Sequence, residues 1–219
     1  MERRVRESRL AAALRRRRPT REPYDRILIV CEGEKTERLY FEDFRGHFRL
    51  SSANVEIAKN DLGSSPISVV ECAVELYRRD RGYDRVYCVF DRDRHHRYDE
   101  ALARIDNERR RKRGPIPIYA VPSIPCFEFW ILLHFEYTTR QFEPVEGSIS
   151  EQVIRSLARY ISDYQKGFSV FGRLVGRMDT AISNAKQVMA FHETSGTDNP
   201  STRVHELVEH LRSLNSERA

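Results

Sequence analysis

The sequence predicts an α/β fold, a parallel sheet flanked by helices, with a helical extension at its C-terminal side. Three observations predict it. Short apolar runs rich in β-branched residues recur at 26–31, 55–58, 85–90 and 116–121. Segments with apolar positions at helical spacing separate them. After Pro125 the strand-like runs stop and only helical patterns follow. Strands buried on both faces read as unbroken apolar runs, and their alternation with helices implies βαβ units.

Residues 26–31 (RILIVC) form the first strand by length and branching. Residues 36–48 follow as a helix with Leu39, Tyr40, Phe44 and Phe48 on one side. Residues 55–58 read as the second strand. Asp61-Leu-Gly-Ser-Ser-Pro is a loop and helix start, with Ser65 as N-cap and Pro66 at the first helical position. The helix 66–80 turns Ile67, Val70, Val74 and Leu76 inward. Residues 85–90 (RVYCVF) are the third strand, and 98–112 a charged helix with a narrow apolar face at Ala101, Leu102 and Ile105. Residues 116–121 (IPIYAV) are the fourth strand, where Pro117 argues for an edge position or a strand start. Residues 126–135 (CFEFWILLHF) are apolar almost all round and read as a buried helix. Residues 149–164, 168–192 and 201–214 read as helices without intervening strands. The expected division is a basic flexible arm over 1–22, an α/β core over 23–125, and a helical extension over 126–219 packed on that core.

The 219 residues are 40% hydrophobic and 32% charged, a globular composition with a charged surface. No run of about 18 apolar residues is present, so no membrane span is expected. The arginine-rich start lacks the apolar stretch of a secretory signal, and the expected location is the cytoplasm. Cys31, Cys72, Cys88 and Cys126 form no CxxC pair and sit in apolar runs, as buried free thiols do. Charge is uneven. Residues 1–22 hold nine arginines against three glutamates, +6 of the net +5, which leaves the remainder at −1. Such an arm is a solvated tail, a phosphate-binding segment or a dock for an acidic protein, and charge alone does not separate these.

The first chemical constellation is Glu32-Gly33-Glu34-Lys35-Thr36-Glu37, where the first strand meets its helix. Acids at a helix start are also stabilising in themselves. The second is Asp91-Arg92-Asp93-Arg94-His95-His96, directly after the third strand. Two apart on extended backbone, Asp91 and Asp93 point to the same side. Both sets follow parallel strands and therefore lie at one end of one sheet, where ligands of such sheets gather. Carboxylates brought together repel unless a cation neutralises them. All-oxygen ligation suits Mg2+ or Mn2+, not zinc. Glu32, Asp91 and Asp93 are expected to converge within about 7–8 Å, the span of one shared ion, with Glu37 and Glu128 near the rim.

Glu128 stands in a run otherwise fit for burial, and a buried carboxylate needs a cation, a metal or its own helix start as partner. Lys166, one of five lysines in an arginine-rich chain, lies in a YQKG turn. A compact ammonium there can stabilise a pentacovalent phosphate or protonate a leaving oxygen. His134 reads as a core histidine, His95 and His96 as loop residues, and Asn199-Pro200-Ser201-Thr202 as a turn and cap before the last helix.

An EG at the first strand with DxD at the third resembles the Toprim signature. The segments ILIVCEGEKTERLYF (27–41), VYCVFDRD (86–93), PCFEFWILLHF (125–135), YQKG (164–167) and NPSTRVHELVEHL (199–211) together resemble the RloB-like family, associated with restriction–modification loci. The resemblance implies a Toprim-type site, metal-dependent nuclease activity, a role in antiphage defence and an ATPase partner. On its pattern Glu32 is the general base or a metal-linked acid, and Asp91 and Asp93 are the main Mg2+ ligands. Glu37 is an additional acid, with Glu34 its competitor. No GxxxxGK[ST] loop occurs, so any ATPase would be a separate chain. The alternative function is a non-catalytic regulatory subunit that binds nucleic acid or nucleotide. A phosphorelay receiver carries its acidic pair on strand one, and haloacid-type phosphatases carry DxD there, so both fit worse. A topoisomerase would need tyrosine-bearing domains for which no room remains. DNA and RNA are not distinguished as substrates.

Overall fold

A computed structural model of the chain describes residues 25–33, 35–92, 97–143 and 148–216. The expected arm, residues 1–22, lies outside them. The predicted alternation is present: β1 (Ile27–Cys31), α1 (Thr36–His47), β2 (Val55–Lys59), α2 (Pro66–Arg79), β3 (Arg85–Asp91), α3 (Tyr98–Arg109) and β4 (Ile118–Ile124). Then come α4 (Glu128–Leu132), α5 (Ile149–Leu157), α6 (Phe171–Leu174), a 3-10 turn (Val175–Arg177), α7 (Met178–Ser195), β5 (Ser201–Thr202) and α8 (Val204–Ser216). One sheet has the order β2-β1-β3-β4-β5, parallel except for β5.

The period-two alternation of a strand sorts the core onto two faces. Ile27, Ile29 and Cys31 of β1, with Tyr87 and Val89 of β3, face α1 and the helices that follow Pro125. Leu28 and Val30, with Val86, Cys88 and Phe90, face α2 and α3. The first face is the larger, because α4 to α8 complete it with Trp130, Phe129, Leu174, Val188 and Leu207, all buried. All four cysteines are buried and free. No helix among the described residues is long and apolar enough to cross a membrane.

Local chemistry sets the boundaries. Ser65 accepts a hydrogen bond from the Ser68 N–H, Ser68 Oγ accepts from the Ser65 N–H at 3.1 Å, and Pro66 opens α2. This is the expected cap made reciprocal, worth about 1 kcal/mol. The fourth strand starts later than the sequence suggests. Pro117 lies outside it, its carbonyl accepting from the Val86 N–H at 2.8 Å, while Pro122 lies inside. The Pro122 carbonyl accepts from the Arg203 N–H on the outer side, away from β3. A proline's missing donor is harmless there, because β5 pairs only with Ser123 and Ile124. The strand β5 itself corrects the expectation of helices alone after Pro125. Two residues are too short to leave a periodic signal.

Candidate active site

The acidic residues gather where the strand register ends. The Glu32 N–H donates to the Val89 carbonyl at 2.9 Å, extending the β1–β3 ladder by one bond. The Glu32 carboxylate then accepts from the Asp91 N–H at 2.9 Å. The ends of β1 and β3 are thus tied together through a side chain, and both Glu32 and Asp91 line one cleft. Asp93, His95 and His96 lie outside the described residues, and so does Glu34.

Glu37 sits in the first turn of α1 and is buried. Gly33 makes its position available. A Cβ on Gly33 would lie 2.7 Å from the Glu37 Cδ and 2.9 Å from its Oε1, with Oε2 closer still. With Glu37 where it stands, a side chain at residue 33 would have to displace this carboxylate. Burial pushes the Glu37 carboxyl up to about 7, with Glu128 adding to the rise, while its own backbone N–H and Lys166 oppose it. Asp91, partly open to solvent, is pushed well above the carboxylate range by burial first, then by Glu37, Glu128 and Glu32.

Glu128 opens α4 and is 2% exposed. The Tyr164 hydroxyl donates to its Oε1 at 3.0 Å, and the Lys166 ammonium stands 3.4 Å from its Oε2. Burial pulls the Lys166 amine down, but Glu128, Cys126 and Asp91 more than offset this and hold it above its usual value. Glu37 and Glu128 were expected at the rim. Both are buried at 6% and 2% exposure, in the first turns of helices packed on the core, and both line the cleft with Asp91.

The YQKG turn is latched across the site. Gly167 adopts φ +85, in the left-handed region that side chains disfavour. Its N–H donates to Thr36 Oγ1 at 3.1 Å, and a Cβ there would lie 2.8 Å from the Lys35 Cδ. The lysine is therefore carried by a turn fixed to the start of α1. Together Glu32, Glu37, Asp91, Glu128, Lys166 and Ser64 line an open cleft of 490 Å3. Sequence reasoning missed Ser64, Tyr164 and the Lys35–Thr36 latch. Of these, Tyr164 lay in the YQKG segment and Lys35 and Thr36 in the acidic constellation, but nothing in either linked the two.

His134 is a core histidine as expected. It is fully buried, its Nδ1 donates to the Trp130 carbonyl at 3.0 Å, and burial lowers its pKa to about 4. Thr202 Oγ1 accepts from the Val204 N–H at 3.2 Å, so the Asn199–Thr202 segment caps α8 while also forming β5.

Among the described residues, no three His, Cys, Asp or Glu side chains form a ready metal-binding group. Glu128 is engaged by Tyr164 and Lys166, and Glu32 by the Asp91 N–H. The donor set nevertheless fits a hard divalent cation by its chemistry. It is all carboxylate, and the carboxyls of Glu37 and Asp91 are pushed up by burial first and by neighbouring carboxylates second.

A family model described as RloB-like protein matches residues 27–211. No curated protein and no solved structure matches the chain.

Proposed function

The chain belongs to the RloB-like family, and from that premise we propose that it is a divalent-metal-dependent nuclease hydrolysing phosphodiester bonds of DNA or RNA through a Toprim-type site. One observation carries the reading. Glu32, Glu37, Asp91 and Glu128, from three segments of the chain, meet at the carboxyl ends of two neighbouring parallel strands, with Lys35 and Lys166 lining the same cleft and Lys166 paired to Glu128. Electrostatic cost on this scale is hard to account for in a surface that only solvates the fold.

Asp91, Glu32, Glu37 and Glu128, with Asp93, would hold Mg2+ or Mn2+. Such an ion supplies an activated water and neutralises charge on the phosphate. The chain's own residues have distinct tasks. Glu37, in the first turn of α1 and facing the same cleft, is the additional acid of the set and would take a proton from water when it does not hold the ion. Glu32 fixes the end of β3 through the Asp91 N–H and thereby aims Asp91 into the cleft. Lys166, half exposed and protonated, offers its ammonium to the phosphate oxygens and a proton to the leaving oxygen. Tyr164 holds the buried Glu128 in place from the other side.

The arginine arm of residues 1–22 would add affinity for the nucleic acid without reading its sequence. A cytoplasmic antiphage role beside an ATPase partner is part of the same proposal and follows from the family resemblance alone. The second reading is a non-catalytic binding subunit. The engagement of Glu128 by Lys166 and Tyr164 favours it, since a satisfied carboxylate needs no ion.

The test is incubation of the purified chain with DNA and with total RNA, in Mg2+ and in Mn2+, beside Asp91→Asn. Cleavage of either polymer that requires the ion and disappears in Asp91→Asn is the expected result. Normal cleavage by Asp91→Asn would defeat the mechanism. Binding without cleavage by the unmodified chain would select the second reading.

A further inference from the structure

The opposite end of the sheet carries a second constellation. The α2 helix ends at Arg79 and leads into β3, and residues 110–117 lead into β4. Between them lies a cavity of 350 Å3 lined by Arg78, Arg81, Arg111 and Arg113, with Tyr77 as an aromatic wall and no acidic residue in the lining.

The guanidiniums are held in place by a buried carboxylate. Glu108, near the end of α3, is 1% exposed. Its Oε1 takes Arg78 at 3.1 Å and Arg104 at 2.9 Å, and its Oε2 takes Arg111 at 2.9 Å. Those three arginines keep 48%, 39% and 47% of their side chains exposed, so each spends part of its fork on Glu108 and presents the rest outward. The loop is pinned as well, since the Ile116 N–H donates to the Glu108 carbonyl at 3.1 Å. Arg81 and Arg113 are exposed and form no ion pair among the described residues.

Arg78, Arg104 and Arg111 pair with Glu108, and Arg81 and Arg113 line the cavity beside them, five guanidiniums to one carboxylate and a net charge of +4. The C-terminal dipoles of α2 and α3 point here and withdraw about half a charge each, which leaves about +3. Neutralising helix ends therefore does not account for the cluster. A planar guanidinium fork matches the geometry of phosphate oxygens, and its placement by Glu108 removes part of the ordering cost of binding.

We propose that this pole is a phosphate-binding site, formed by Arg78, Arg81, Arg111 and Arg113 and organised by Glu108. Its ligand is the phosphate of a nucleic-acid backbone or of a small polyphosphate. It is separate from the acidic cleft. The seven residues of β3 at a rise of about 3.3 Å each put the two ends about 20 Å apart. The site does not depend on any chemistry in that cleft.

The test uses the full chain in EDTA, with the double substitution Arg81→Gln and Arg113→Gln, neither of which breaks an ion pair. Binding of a fluorescein-labelled single-stranded oligonucleotide is followed by anisotropy across KCl concentrations. Loss of two backbone contacts at about 0.7 each should flatten the slope of log K against log salt by about 1.4, and lower affinity about 25-fold at about 0.1 M salt. That result assigns the site to nucleic acid. In a second arm, inorganic pyrophosphate is added during thermal unfolding. A pyrophosphate-induced rise in Tm that is lost in the double variant, with oligonucleotide binding unchanged, assigns it to small polyphosphates. If the variant alters neither measurement, the proposal is overturned.

Discussion

Replacing Gly33 by alanine tests the geometry of the cleft with a single methyl group. The added carbon would lie 2.7 Å from the Glu37 Cδ, against an ordinary carbon–carbon approach of about 3.5 Å. The Glu37 carboxylate must therefore retreat by at least about 0.8 Å, and further at its nearer Oε2, or the turn after β1 must shift. Its side chain is buried and begins a helix packed on the sheet, so neither movement is free. Overpacking of this kind costs about 1–3 kcal/mol. In a chain of this length that lowers Tm by about 2–12 °C. Catalysis should suffer more than stability, because misplacement by about 1 Å can cost about 100-fold in rate. Scanning calorimetry and a cleavage assay measure the two effects on the same preparation. Gly46→Ala is the control, since this exposed helical glycine has nothing within 4 Å of its added carbon. It should raise stability by up to about 1 kcal/mol and leave cleavage alone. Gly33→Ala with unmodified Tm and rate would refute the placement of Glu37.

Glu37 also gives the metal-free chain a pH dependence. Its carboxyl titrates at about 7 in the fold against 4.5 as a free side chain, so the native state holds the proton more tightly. The stability it contributes is full below pH 4.5 and is lost as pH rises through 7. In EDTA, Tm should fall between about pH 5 and 7.5, less steeply in Glu37→Gln; equal slopes would contradict the assignment. Lys166→Ala should lose cleavage by about 100-fold or more yet keep any rise in Tm produced by Mg2+, because the ammonium acts on the phosphate. Normal cleavage would remove the lysine from the mechanism. Tyr164→Phe deletes the hydroxyl that donates to Glu128 at 3.0 Å and leaves a buried acceptor unsatisfied. The cost of about 1–3 kcal/mol should appear as a fall of several degrees in Tm, and an unchanged Tm would show that Glu128 does not need the tyrosine.

Much of the fold was legible because parallel strands and amphipathic helices leave periodic signals. The run 27–31 is buried at every position, and Ser65 caps α2 as its neighbours suggest. The site was legible only as a set of residue types. Glu32 and Asp91 declared themselves by following strands. The depth of Glu37 and Glu128 depends on how two helices seat on the sheet, which spacing alone does not specify. Glu108 shows the limit most clearly. In a charged helix it looks like one more solvated residue, yet it is buried, because arginines from α2 and from the loop before β4 close over it. The latch between Gly167 and Thr36 spans 131 residues and has no local signature.

That latch has a consequence for the order in which the site is completed. Chains are made from the N-terminus, and domains fold as their residues become available. The four acids are all present once residue 128 has been synthesised, but Tyr164 and Lys166 come later, and the apolar face that seats their turn extends to Leu214. A chain interrupted before residue 164 has its acids but neither the hydroxyl nor the ammonium that restrains Glu128. Seating of the lysine is thus deferred until residues as far as Leu214 have been made, well after the last of the four acids.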